Sequence, residues 1–103
     1  MKALPLPAFF DPRNANDRVY GPDTARLFSE ATEWRRAHGI APSAADQRKV
    51  HLLLIDVQKD FCFPEGSLFV AGRSGRGALD DTRRTAEFMY RNANRITDVT
   101  ATF

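Results

Sequence analysis

The sequence predicts an α/β chain with parallel strands, and three stretches carry that prediction. Leu52-Leu53-Leu54-Ile55 is an apolar run with no polar alternation, and it halts on Asp56. This is the pattern of a strand buried on both faces, as in a parallel sheet. Ala86, Met89, Tyr90 and Ala93 then recur at helical spacing. Finally, Ile96 to Phe103 sets Val99, Ala101 and Phe103 against Thr100 and Thr102. Its alternation and β-branched content predict a second strand. Strand, helix and strand in that order make a βαβ unit.

The elements read as follows in chain order. Residues 1–21 hold Pro5, Pro7, Pro12, Asn14, Asn16 and Gly21, which predicts an arm with little regular structure. Phe9, Phe10 and Tyr20 are its candidate anchors on a partner surface. Pro22 to His38 predicts a helix, with Asp23 as N-cap and Gly39 as the residue after the C-cap. Leu27, Phe28, Ala31 and Trp34 form its apolar stripe. Ala41 to Arg48 is a linker containing Pro42 and Ser43.

The first strand covers Val50 to Ile55. Gly72, Gly75 and Gly77 then lie in a loop ahead of the second helix. They do not follow the strand–Gly-x-Gly-x-x-Gly–helix order of a dinucleotide site, and no P-loop Lys follows them. The second helix is expected to be capped by Asp80 or Asp81 and to end near Asn94. The chain therefore divides into an arm and helix extension over 1–49 and a βαβ part over 50–103.

Composition narrows the class. With 43% hydrophobic and 27% charged residues in a 103-residue chain, one ordinary small globular domain is expected. The net charge of +2 is too small to argue for nucleic acid. Arg83, Arg84, Arg91 and Arg95 are interleaved with acids and read as a solvated helix face. A single cysteine, Cys62, excludes an internal disulfide framework and fits a reducing, cytoplasmic setting. The apolar stretch of MKALPLPAFF is short and broken by prolines, so neither a signal peptide nor a membrane span is expected.

Asp56 is the leading candidate for chemistry. A carboxylate at the carboxyl end of a parallel strand sits where open α/β sheets place their ligands. The residues alone leave its role open among a general base, a metal ligand, a nucleophile and a plain strand-ending turn residue. A haloacid-dehalogenase-type phosphate site would need a second Asp at the position held by Gln58.

Around Asp56 runs the segment HLLLIDVQKDFCFPEGSL, and it resembles the N-terminal motif of the isochorismatase-like cysteine hydrolases, most closely their nicotinamidase-like members. Asp56, Gln58, Asp60, Phe61, Cys62, Gly66, Ser67 and Leu68 match that motif in order and spacing. Phe63-Pro64-Glu65-Gly66 departs from the family's Pro-Gly-Gly turn. The resemblance covers about residues 50–103 and none of the preceding extension.

The resemblance implies a three-layer α/β/α fold with a parallel sheet, of which this chain would supply the N-terminal βαβ part. It also implies an Asp-Lys-Cys catalytic set acting on a small amide. Asp56 would be the base, and Phe61 and Leu68 would line the substrate pocket. A thiolate is the reactive form of cysteine, and a base within hydrogen-bond reach generates it. The family's Lys and nucleophilic Cys lie downstream; Lys49, Lys59 and Cys62 occupy no matching position. The resemblance therefore implies the first part of a larger enzyme, inactive as an amidase alone. No cofactor is expected within the chain, although a divalent metal such as zinc would be possible in the full-length parent. Neither His38 nor His51 has the ligand spacing. The implied partner is a small amide substrate, with a homo-oligomer possible and neither nucleic acid nor membrane expected. Two alternatives stand beside this reading: a non-catalytic binding or assembly module of the same fold, and an isochorismatase-type vinyl-ether hydrolase.

Overall fold

The structure, a computed structural model, describes residues 2–17 and 19–102, and of Lys59 and Asp60 the backbone only. Its helices are α1 (Thr24–Ala37), α2 (Lys59–Cys62) and α3 (Gly77–Arg91), and its strands are β1 (His51–Leu54) and β2 (Asp98–Ala101). Short 3-10 turns occupy Pro12–Asn16 and Ser43–Ala45, the second inside the expected linker. β1 and β2 pair in parallel, with His51 opposite Asp98 and Leu54 opposite Ala101. The chain is thus a small α/β unit whose crossover is α3. Phe103, expected on the second strand, lies outside the described residues.

Threonine hydroxyls close the strand pair at both ends. At the amino end, the Thr97 N–H donates to the Val50 carbonyl (2.8 Å). The Thr97 hydroxyl accepts from the Val50 N–H (2.9 Å) and donates to the Asp46 carboxylate (2.9 Å). At the carboxyl end, the Thr102 N–H donates to the Leu54 carbonyl (2.8 Å). Its hydroxyl accepts from the Asp56 N–H (3.1 Å). The first register pair also brings His51 Nδ1 onto the Asp98 carboxylate.

The caps of α1 follow the sequence. The Asp23 carboxylate accepts from the Arg26 N–H (3.1 Å), satisfying one orphan donor. At the other end the Gly39 N–H reaches the Arg36 carbonyl and the Ile40 N–H the Arg35 carbonyl. These two bonds make a Schellman closure, and Gly39 supplies the φ of +63° that it requires. The predicted stripe needs one correction: Leu27, Ala31 and Trp34 face the body, whereas Phe28 is 74% exposed. One residue from Leu27 is a rotation of about 100° around a helix, enough to carry Phe28 off the covered face.

The start of α3 also differs from expectation. Arg76 holds the N-cap position without a side-chain bond, and neither Asp80 nor Asp81 caps the helix. Main-chain carbonyls do the capping: Gly77 N–H donates to Ala71 O (2.7 Å) and Ala78 N–H to Val70 O (3.0 Å). Asp80 instead lies in the first turn, and Asp81 pairs with Arg84 at 2.7 Å on the surface. The helix ends at Arg91, a little before the expected Asn94.

The arm folds back on its own chain. Leu4 N–H donates to the Arg91 carbonyl at the end of α3 (2.8 Å). The rings of Phe9, Phe10 and Trp34 meet Tyr90 edge-on at centroid distances of 5.8, 5.7 and 6.0 Å. Such edge-to-face pairs each add roughly 0.5–1.5 kcal/mol beyond area burial. Phe9 and Phe10, expected to anchor on a partner, therefore anchor on α3; Tyr20 stays exposed.

β1 was expected to be buried on both faces, and it is not. Leu52 and Leu54 are half-buried, while Leu53 is 50% exposed and Ile55 65% exposed. Among the described residues no layer covers that second face. The most deeply buried side chain is Leu79, at 4% exposure on α3.

Two predictions follow from these contacts. A Cβ at Gly77 would lie 2.9 Å from the Ala71 carbonyl oxygen. Gly77 is the first residue of α3, where alanine gains less over glycine than the about 1 kcal/mol of a helix interior, whereas overpacking costs about 1–3 kcal/mol. Gly77→Ala is therefore expected to lower the urea unfolding midpoint, where propensity alone would raise it. The second concerns Tyr90, whose phenol is pushed above its ordinary range by burial and, secondarily, by Tyr20. The unfolded phenol ionises near pH 10, before the folded one. The unfolded state then binds fewer protons, so stability falls as pH rises from about 10 through the folded pKa. Tyr90→Phe should remove that part of the alkaline loss, as read by unfolding midpoints at neutral and alkaline pH.

Candidate functional site

The carboxyl end of the strand pair is formed by Asp56 and Thr102, and its backbone geometry is unusual. Asp56 is the one non-glycine residue with positive φ among the described residues, at 58°. L-residues avoid this left-handed region, although Asp and Asn tolerate it better than most. The Asp56 carbonyl then accepts from the Gln58 N–H (3.0 Å), closing a three-residue turn over Val57. The chain leaves the sheet at this point.

Beyond that turn, α2 is a single helical turn. The N–H groups of Phe61 and Cys62 both donate to the Gln58 carbonyl, at 3.1 and 3.0 Å. The Gly66 N–H donates to the Phe63 carbonyl (2.9 Å), closing a β-turn with Pro64 at its second position and Gly66 at its fourth. The segment returns when the Val70 N–H donates to the Phe61 carbonyl (3.0 Å). Val70 and Ala71 in turn cap α3. The matched motif is therefore one hydrogen-bonded excursion between β1 and α3.

The predicted site residues fall at different depths in this excursion. Asp56 is exposed. Phe61 is half-buried on α2, whereas Leu68 is 62% exposed in the following turn. Cys62 is a half-buried free thiol. Lys49 is at the opposite end of β1, where its ammonium reaches the Ser43 and Ala44 carbonyls at 3.4 and 3.3 Å. Gly72 and Gly75 take positive φ, but the first amides of α3 are already bonded to Val70 and Ala71, so the loop presents no phosphate cradle.

A cleft of about 620 Å³ lies elsewhere, between α1, α3 and β2. Trp34, Met89, Tyr90 and Val99 are among its walls, and none of Asp56, Phe61 or Leu68 lines it. Nor do the described residues gather three His, Cys, Asp or Glu side chains where a metal could be held. His38 meets the Trp34 ring at a tilt, and His51 faces Asp98. No helix among the described residues is long and apolar enough to cross a membrane.

Sequence reasoning missed Thr102 and the turned backbone of Asp56. Thr102 was visible only as a polar position in an alternating strand. Comparison of the chain with protein-family models, with curated proteins and with solved structures found no match.

The left-handed conformation at Asp56 gives an ordered mutant series. Asp56→Gly removes the Cβ penalty and is expected to hold or raise stability. Asp56→Asn should stay close to the parent. Asp56→Ala should fall below the glycine variant by about 1 kcal/mol. Urea midpoints on the four proteins test the order, and an alanine variant as stable as glycine would contradict it.

Proposed function

We propose that this chain carries the Asp-bearing first part of a nicotinamidase-like amidohydrolase of the isochorismatase-like cysteine hydrolase type. On this reading its three-layer α/β/α fold is completed, and the Lys and Cys of its Asp-Lys-Cys set are supplied, by residues outside these 103. The substrate class is a small planar amide such as nicotinamide. The observation that carries the reading is Asp56 itself. It is an exposed carboxylate at the carboxyl end of a parallel strand, turned off the sheet by a positive φ and held there by a neighbouring strand. Ligands of open α/β sheets bind at that end, and strained backbone residues cluster at functional sites.

In this reading Asp56 takes the proton of the cysteine thiol, and the thiolate attacks the amide carbonyl. Collapse of the tetrahedral adduct breaks the C–N bond, and the same proton leaves with ammonia. Water then hydrolyses the thioester to the acid and regenerates the thiol. The net reaction is amide plus water to acid plus ammonia. Phe61, on the single helical turn that follows the Asp56 turn, offers an aromatic wall for a planar ring. Leu68 offers an apolar surface that is bare in this chain. Neither Cys62 nor Lys49 serves this chemistry: Cys62 belongs to the motif that follows the base, and Lys49 sits at the wrong end of β1.

The 103-residue chain is accordingly expected to release no ammonia from nicotinamide. Turnover surviving Cys62→Ala would overturn the assignment of the nucleophile to other residues. In a longer protein holding this segment with its Cys and Lys, Asp56→Asn should cost about a hundredfold to ten-thousandfold in turnover. Near-parental turnover with unchanged folding would return Asp56 to the role of a turn residue.

A further inference from the structure

We propose that Thr102 is the positioning residue for Asp56: its hydroxyl takes the place of a ladder carbonyl and so lets the acid turn out of the sheet without losing its backbone hydrogen bond. As a statement about function this rests on Asp56 being the base. As a statement about geometry it stands separately.

The argument starts from the ladder. Thr102 N–H donates to the Leu54 carbonyl at 2.8 Å, which continues the register Leu54 opposite Ala101. In a regular parallel ladder the bonds are evenly spaced and alternate in direction between strands. The next bond would run from the Asp56 N–H to the Thr102 carbonyl. Here the Asp56 N–H goes to the Thr102 hydroxyl instead, at 3.1 Å. That exchange matters because Asp56 has φ 58°, far from the extended range of a strand residue. A residue that leaves the strand this sharply would ordinarily give up its ladder bond. A side-chain oxygen at the flank of β2 can follow the displaced N–H where a fixed backbone carbonyl cannot.

Threonine suits this position for two reasons. Its branched side chain favours the extended backbone that β2 needs, and its hydroxyl accepts with one lone pair while leaving a donor free. The Thr102 residue is half-buried, whereas the bond itself is exposed and so open to competing water. Valine has the same shape and no acceptor; serine keeps the acceptor and loses only a methyl group.

The test uses the full chain, isotopically labelled, and reads Asp56 by NMR. A left-handed residue places its own Hα close to its amide proton, giving a strong intraresidue cross-peak. The parent should show that cross-peak and a slowly exchanging Asp56 amide. Thr102→Ser should keep both. Thr102→Val should weaken the cross-peak and speed Asp56 amide exchange by roughly fivefold to tenfold, the fold-change corresponding to one net hydrogen bond. The Thr102 amide, bonded to Leu54, should stay protected. A parent lacking the left-handed signature, a serine variant that loses it, or a valine variant that keeps it together with amide protection, would overturn the proposal. If Thr102→Val loses the strand pair altogether, Asp56→Gly is added to it. Glycine enters positive φ unaided, so recovery of β1–β2 pairing supports positioning of residue 56, and failure to recover overturns it. Failure of the amidase reading would appear as Asp56→Asn activity in the longer protein and would leave these spectra unchanged.

Discussion

Two threonines bracket the pairing of β1 with β2, and the closure of the βαβ unit through α3 depends on that pairing. Thr97 joins the Val50 N–H to the Asp46 carboxylate, which ties the linker to the amino end of the pair. Thr102 takes the Asp56 N–H at the other end. With four residues in each strand, the ladder is short, and an isolated two-stranded unit is marginal in water. Hydroxyl closures at the flanks convert fraying N–H groups into bonded ones, each worth about 1 kcal/mol net. They also fix the register, because a one-residue slip would face both hydroxyls with the wrong partners and turn every side chain to the opposite face.

The weight of packing lies away from that sheet. Tyr90 collects three aromatic rings, two from the arm and one from α1. This makes α3 the element that both spans the strands and receives the N-terminal extension. The arm adds Leu4 to the buried set and caps the last carbonyl of α3. Residues 1–49 are therefore joined to the βαβ unit through α3 and the linker. The opposite sheet face keeps Leu53 and Ile55 bare. That bare face is where the second helical layer of the proposed three-layer fold would pack.

Much of this was legible in the sequence where the signal is local. Asp23 and Gly39 close α1 because capping depends on side chains and φ preferences within one turn. The apolar run ending on Asp56 and the alternating β2 pattern placed both strands, although each is shorter than its pattern suggested. The signals that failed were those set by tertiary context. Asp80 and Asp81 looked like caps, but Val70 and Ala71 carbonyls, brought in by the returning loop, occupy the start of α3. Phe28 looked like part of the stripe because hydrophobicity does not say where a covered face ends. Phe9 and Phe10 were legible as anchors, yet the surface they anchor on was not. The roles of Thr97 and Thr102 were hidden because a strand threonine reads as polar filler until its partner across the ladder is known.

Asp56 combines two demands that pull in different directions. The backbone at this position favours glycine, which enters positive φ without a Cβ penalty. Aspartate is among the few other residues that tolerate this region, because its short polar side chain can bond locally. The amides of Phe61 and Cys62 go to the Gln58 carbonyl, and that of Gln58 goes to Asp56's own main-chain oxygen. The turn is therefore closed by main-chain bonds. Asp56 is thus an exposed acid on a bonded, positive-φ backbone at the carboxyl end of a parallel strand. The proposed role as base would use the carboxylate; the turn uses the backbone beneath it.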